Sequence, residues 1–227
     1  MKAMILAAGM GTRMLPLTGQ TPKPLLEVKG RALIEYHIEA LQSAGLNEIV
    51  VNVHHLANSI INHVGDGRRY GVRVEYSHET TLLETAGGIK AALPLLGPEP
   101  FVVVSADIFT NYNYADLLRE WRRKSLRSGH LVMVDNPSHH VDGDFGLGDD
   151  GVLTLQGPKL TYAGIALFRP EFFTGTAMGV ASDETKMPLK LRALLEPAIE
   201  QGKLTGEHFH GAWSDVGTIE RFSELNQ

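Results

Sequence analysis

Residues 3–8 form an uninterrupted apolar run, A-M-I-L-A-A, that breaks into Gly9-Met10-Gly11-Thr12-Arg13. A run without polar alternation reads as a strand buried on both faces, so the fold must supply a covering layer on each side of it. The glycines make the exit a tight turn, because they accept φ > 0 and let backbone N–H groups come close to a ligand. Thr12 adds a hydroxyl, and Arg13 a forked cation suited to phosphate oxygens. Lys23 follows between Pro22 and Pro24, on a loop stiffened because each proline fixes its own φ and restricts the residue before it. Together these residues predict a cradle for a polyphosphate at the end of a buried strand. Two familiar phosphate motifs are excluded by spacing. No Lys-Thr or Lys-Ser follows the glycines as a Walker loop requires, and Met14 stands where a dinucleotide fingerprint has its third glycine.

Strand and helix patterns alternate through the first half. Helical spacing over 33–41 stops at Gly45, a β-rich run covers 48–53, and a helix over 56–64 stops at Gly65. A short strand over 72–76, a helix over 85–96 ending at Gly97-Pro98, an apolar strand over 101–105 and an amphipathic helix near 114–124 continue the series. This order predicts an α/β chain, a Rossmann-like three-layer α/β/α fold around a mostly parallel mixed sheet. In the second half, strands at 131–134, 145–147, 152–155 and 160–168 with short turns predict an antiparallel extension of that sheet. Helices are expected at 189–201 and 218–225. With no repeat and no linker, the chain reads as a single domain over 1–227.

A net charge of −5 predicts no general affinity for nucleic acid or an anionic membrane. Phosphate binding must therefore come from a few placed cations. The absence of cysteine excludes disulfides and thiolate metal sites. No signal-peptide pattern precedes the first strand, and no apolar run approaches the ~20 residues that span a bilayer, so a soluble cytoplasmic protein is expected. The histidines number ten, but His54-His55 and His139-His140 are neighbours whose side chains point apart, and no H-E-x-x-H spacing occurs. On spacing, no zinc site is predicted. Arg119, Arg122, Arg123, Lys124 and Arg127 read as a solvated basic helix end.

Asp107 closes the apolar strand 101–105, and ligands of open α/β sheets bind outside the carboxyl ends of strands, where the glycine turn also lies. Asp215 lies far downstream in W-S-D-V-G-T. Two such carboxylates suit Mg²⁺ held by a few protein oxygens with phosphates and water; either one alone also reads as a cap or turn residue.

The segment L-A-A-G-M-G-T-R-M-L-P-L-T…P-K-P over 6–24, with the x-x-D at Asp107 and W-S-D-V-G-T around Asp215, resembles the signature of sugar-1-phosphate nucleotidyltransferases. The resemblance implies that Leu6, Ala8, Gly9, Gly11, Thr12, Arg13 and Lys23 hold the triphosphate of an NTP. Arg13 and Lys23 would be the catalytic cations, with Lys23 at the α-phosphorus. It implies Asp107 and Asp215 as Mg²⁺ ligands and 79–88 as a base-reading loop, with Tyr76, Glu84 and Gly87 on the nucleotide side; Tyr76 reads equally as a packing tyrosine. Ser105, Asp144 and Gly164 would contact the sugar. The nucleotide-binding half is then 1–110 and the sugar-binding half 111–227. Departures from the pattern are Met10, where many members have Ser or Lys, Ser105 in place of Asn and Ala86 in place of Gly. L-Q-G-P-K also replaces the usual E-K-P, leaving Lys159 only as a candidate for the sugar phosphate.

The implied reaction joins a sugar-1-phosphate to an NTP, giving NDP-sugar and pyrophosphate. The overall pattern is most like the short uridylyltransferases of peptidoglycan recycling. UTP and an N-acetylmuramate-type sugar-1-phosphate are therefore the expected partners of a monomer or small homo-oligomer. Mannose- or heptose-1-phosphate guanylyl transfer and phosphocholine cytidylyl transfer are the competing activities. A non-catalytic regulatory subunit is the competing class, and the retention of Arg13, Lys23, Asp107 and Asp215 argues against it.

Overall fold

The computed structural model describes residues 1–123, 128–174 and 187–227. β1 (Ala3–Leu6) exits through short 3₁₀ turns into a small hairpin, β2 (Glu27–Val28) and β3 (Arg31–Ala32), which runs directly into α1 (Leu33–Ser43). β4 (Glu48–Val53), α2 (Ala57–Val64), β5 (Arg73–His78), α3 (Glu84–Leu96) and β6 (Phe101–Ser105) then alternate. The strands are parallel in the order β6-β1-β4-β5, with Ala3 opposite both Ile49 and Val102.

Side chains alternate across the pleat, and that alternation builds the layers. Ile5, Val51 and Val104 pack on one face against Ile34, Ile38 and Leu41 of α1 and Ile60 and Val64 of α2. Met4, Val50 and Val103 point the other way, onto Ala86, Ile89 and Ala92 of α3. Burial on both faces is why these strands lack polar alternation. The result is the three-layer α/β/α arrangement.

The chain continues as β7 (Ile108–Thr110), α4 (Tyr114–Arg123), β8 (Gly129–Val134), β9 (Phe145–Leu147), β10 (Leu153–Thr154) and β11 (Lys159–Phe168). It closes with α5 (Glu171–Thr174), α6 (Arg192–Glu200), β12 (Leu204–His208), β13 (Trp213–Asp215) and α7 (Ile219–Leu225). β11 pairs antiparallel with β6, β8 and β9, so one sheet runs through both halves of the chain. Gly164, at φ +76°, falls inside the register shift of β11 between Tyr162 and Ala166, a bend that only glycine makes without strain.

Several elements differ from the sequence expectation. β12 runs parallel to β8, so the extension is not wholly antiparallel. Its sequence, L-T-G-E-H, has a glycine and two ionisable residues and no strand pattern; pairing with β8 makes it a strand. β7 and β13 pair antiparallel over three residues each, too few to show a period. The helix expected from 189 starts at Arg192, because Leu189 is held extended against α3. Its N–H donates to the Leu83 carbonyl at 2.9 Å, and its own carbonyl accepts from Ala86 N at 2.9 Å. α4 ends at Arg123, and Lys124 and Arg127 of the basic stretch lie outside the described residues. Among the described residues no helix is long and apolar enough to cross a membrane.

Candidate active site

The glycine turn begins where β1 ends and is held from two sides. Ala7 N donates to Asn52 Oδ1 at 2.8 Å, and Thr18 Oγ1 donates to the Gly11 carbonyl at 2.8 Å. Gly11 has φ +64°, and a Cβ there would lie 2.8 Å from Thr18 Cγ2, so both conformation and space demand glycine. Lys23 occupies a 3₁₀ turn (Lys23–Leu25) and is only 9% exposed. Burying an ammonium is costly without a partner; Asp107 Oδ2 accepts its Nζ at 2.8 Å.

Asp107 leaves β6 beside the turn, with Ala106 N bonded to the Leu6 carbonyl at 3.0 Å. The β7–β13 pairing sets Asp215 opposite Ile108, and Val216 N donates to the Asp107 carbonyl at 2.7 Å. Sequence-distant carboxylates are thus brought to one place. Arg221 donates to Asp215 Oδ2 at 2.9 Å, while His139 Nε2 stands 2.9 Å from Oδ1. That second contact is an ion-pair distance without hydrogen-bond alignment, and Oδ1 remains a buried acceptor with no donor. A buried carboxylate oxygen left in this state, with a second aspartate alongside, is a donor set that fits a hard divalent cation such as Mg²⁺.

Two adjoining cavities meet at Asp107. The smaller, about 260 Å³, is lined by Gly9, Gly11, Lys23, Asn52, Glu79 and Leu82 among others. The larger, about 580 Å³, is lined by Arg13, His139, His140, Asp144, Arg192 and Asp215 among others. Leu6, Glu84, Thr85, Ser105 and Asp107 belong to both. Glu84 opens α3 at φ +58°, a left-handed conformation costing a non-glycine residue about 1–2 kcal/mol.

Of the nucleotide-side residues expected from sequence, Leu6, Ala8, Gly9, Gly11, Lys23 and Glu84 line the smaller cavity. Arg13 lies on the wall of the larger one, and Thr12 is exposed outside both. Tyr76 is also outside: it packs toward α2, and its hydroxyl donates to the Gly65 carbonyl at 2.7 Å. Gly87 is buried in α3, where its N–H donates to the Leu189 carbonyl at 3.1 Å and a Cβ would meet the Met187 carbonyl at 2.7 Å. Its place is close packing of 187–189 on α3, not a cavity wall. On the sugar side, Ser105, Asp144 and Gly164 all line the larger cavity, and Lys159 does not.

Sequence reasoning did not single out Asn52, His139 or His140, whereas Glu79 opens the 79–88 loop expected from sequence. Asn52 and Glu79 are buried at the smaller cavity, with Asn52 Nδ2 donating to Glu79 Oε1 at 2.6 Å and Leu83 N to Oε2 at 3.0 Å. The only sequence signal was a polar residue inside I-V-V-N-V. His139 and His140, read from sequence as unremarkable, line the larger cavity. His140 Nε2 and Arg192 lie 3.4 and 3.3 Å from Asp144 Oδ1, and Tyr162 N donates to Asp144 Oδ2 at 2.9 Å. Burial, and then the Asp144 charge, push the Tyr162 phenol above its ordinary value, so it stays protonated.

A family model described as "Nucleotidyl transferase" matches residues 2–227. The chain is 44% identical over 231 residues to an N-acetylmuramate alpha-1-phosphate uridylyltransferase of Neisseria meningitidis serogroup B, covering 99% of this chain and 96% of that one. It is 33% identical over 228 residues to the protein of the same name in Caulobacter vibrioides, covering 95% and 91%. The solved structure of a UDP-glucose pyrophosphorylase complexed with UDP-glucose matches with a TM-score of 0.79 at 18% identity, covering 99% of this chain and 96% of that one. This last likeness is one of fold.

Proposed function

This chain belongs to the nucleotidyl transferase family, and we propose that it transfers a uridylyl group from UTP to N-acetylmuramate α-1-phosphate, releasing pyrophosphate. The observation that carries the reading is the wall shared by the two cavities, where Asp107 faces both and pairs with Lys23 of the smaller one. A triphosphate on the glycine turn and a sugar phosphate in the larger cavity would meet there. The choice of UTP and of the amino sugar rests on full-length similarity to the two named uridylyltransferases.

In the reaction, an oxygen of the sugar phosphate bonds to the α-phosphorus of UTP, and the bond from that phosphorus to the pyrophosphate oxygen breaks. The attacking oxygen is already ionised at neutral pH, so no general base is needed. The chain contributes orientation and charge neutralisation. Lys23 turns from Asp107 toward the α-phosphate as charge grows on it, and Arg13 pairs phosphate oxygens through its fork. Ser105, Asp144 and Gly164 position the sugar, while Glu84 and the loop before α3 face the nucleoside. Asp107 and Asp215 would hold Mg²⁺, which supplies Lewis-acid polarisation and a template for the phosphates. Such a transfer suits the recycling of cell-wall sugars in the cytoplasm.

The test is pyrophosphate release from four NTPs crossed with N-acetylmuramate-, N-acetylglucosamine-, mannose- and heptose-1-phosphates. UTP with N-acetylmuramate-1-phosphate is expected to give the highest kcat/KM, by about tenfold or more. A maximum with GTP and mannose- or heptose-1-phosphate would overturn the substrate assignment and leave the family unaffected.

A further inference from the structure

We propose that Asp135, His208 and His210 bind a nitrogen-preferring divalent cation such as Zn²⁺, at a site separate from Asp107 and Asp215. His208 ends β12, and residues two apart on an extended chain project to the same side. β12 runs parallel to β8 with His208 opposite Met133, which brings the residues following β8 alongside the two histidines. His208 Nε2 lies 2.9 Å from Asp135 Oδ1, and the two imidazole centroids are 3.9 Å apart. One ligand atom from each of the three residues falls within 4.8 Å of the others, the one such convergence of three among the described residues. Glu207, between the strand partners, is engaged elsewhere, with the Tyr112 hydroxyl.

The chemistry of the donors separates this site from the aspartate pair. Two neutral imidazoles and one carboxylate form an N₂O set with a single negative charge, suited to Zn²⁺, Co²⁺ or Ni²⁺ and leaving positions open to water. Asp107 and Asp215 offer oxygen only, the preference of Mg²⁺. Spacing could not reveal the site, because His208 and Asp135 are 73 residues apart.

Its position gives it a consequence. Asp135 opens the segment that carries His139, His140 and Asp144, and His210 precedes Trp213 and Asp215; all five of these line the larger cavity. A cation on Asp135, His208 and His210 would tie together the two segments that deliver them.

The experiment uses the untagged full-length protein, stripped with a chelator and titrated with ZnCl₂ by calorimetry in millimolar Mg²⁺, with thermal unfolding in parallel. One equivalent of Zn²⁺ is expected to bind and to raise Tm. His210→Asn and Asp135→Asn, both at exposed positions, should each weaken binding by more than the roughly tenfold that follows loss of an outer partner. Both should abolish the Tm shift and leave Mg²⁺-dependent turnover without zinc unchanged. Absence of stoichiometric binding, binding that survives both substitutions, or binding lost in Asp215→Asn instead would overturn the proposal.

Discussion

Lys23 Nζ donates to Asp107 Oδ2 at 2.8 Å across 84 residues of sequence. The lysine is nearly buried in a proline-flanked turn, whereas the Asp107 side chain is 38% exposed. The pair therefore holds an ammonium at the junction of two cavities without leaving either charge alone.

Lys23→Ala is expected to lower kcat by about 10²–10³-fold, the usual loss when one preorganised donor to a charged transition state is removed. KM for either substrate should change far less, because the contact strengthens only as charge develops. Steady-state kinetics at saturating Mg²⁺ measures both. A normal kcat with a raised KM would place Lys23 among the ground-state contacts.

Arg221 fixes one oxygen of Asp215 and leaves the other without a donor. Arg221→Ala is therefore expected to raise the Mg²⁺ concentration for half-maximal turnover by about tenfold, with recovery at excess metal. Asp215→Asn should remain inactive at any Mg²⁺ concentration, since it loses the anionic ligand itself. Identical Mg²⁺ curves for wild type and Arg221→Ala would refute the orienting role.

Asn52 links the glycine turn to Glu79 through hydrogen bonds of 2.8 and 2.6 Å. Asn52→Leu orphans a buried N–H and part of a buried carboxylate, at a cost of about 3 kcal/mol. Urea unfolding should show that loss, and KM for the nucleotide should rise, because both groups line the smaller cavity. A stability change below about 1 kcal/mol would show that water replaces Asn52 without penalty.

His37 is buried beneath β7, with Nε2 2.9 Å from the Ile108 carbonyl and Nδ1 3.1 Å from the Tyr114 hydroxyl. Burial pushes its pKa down to about 4 from an ordinary 6.5. The unfolded chain takes up a proton near pH 6.5, and the folded chain refuses it until about pH 4. The stability this neutral histidine contributes is thus fully present above pH 6.5 and is lost as pH falls through that window. Between pH 7 and 4.5 the wild type should lose roughly 2–3 kcal/mol more than His37→Gln. Equal losses in urea titrations of the two proteins would remove His37 as the cause.

What the sequence determined by itself was local. The unbroken apolar run of β1, the glycine at Gly11, the prolines around Lys23 and the acid after β6 are legible within a dozen residues, because backbone preference and side-chain period act over that range. These features were enough for the α/β layers and for most of the smaller cavity. Tertiary structure decided everything that depends on register between distant segments. Tyr76 faces α2 because of its place in the pleat of β5, Gly87 serves the packing of 187–189, and β12 is a strand through its pairing with β8. The Asn52–Glu79 bond, the Asp144–Arg192 contact and the meeting of Asp135 with His208 lie across 27, 48 and 73 residues. Contacts at such separations carry no periodic trace in the chain, since they form only once sheet order and strand register bring the segments together.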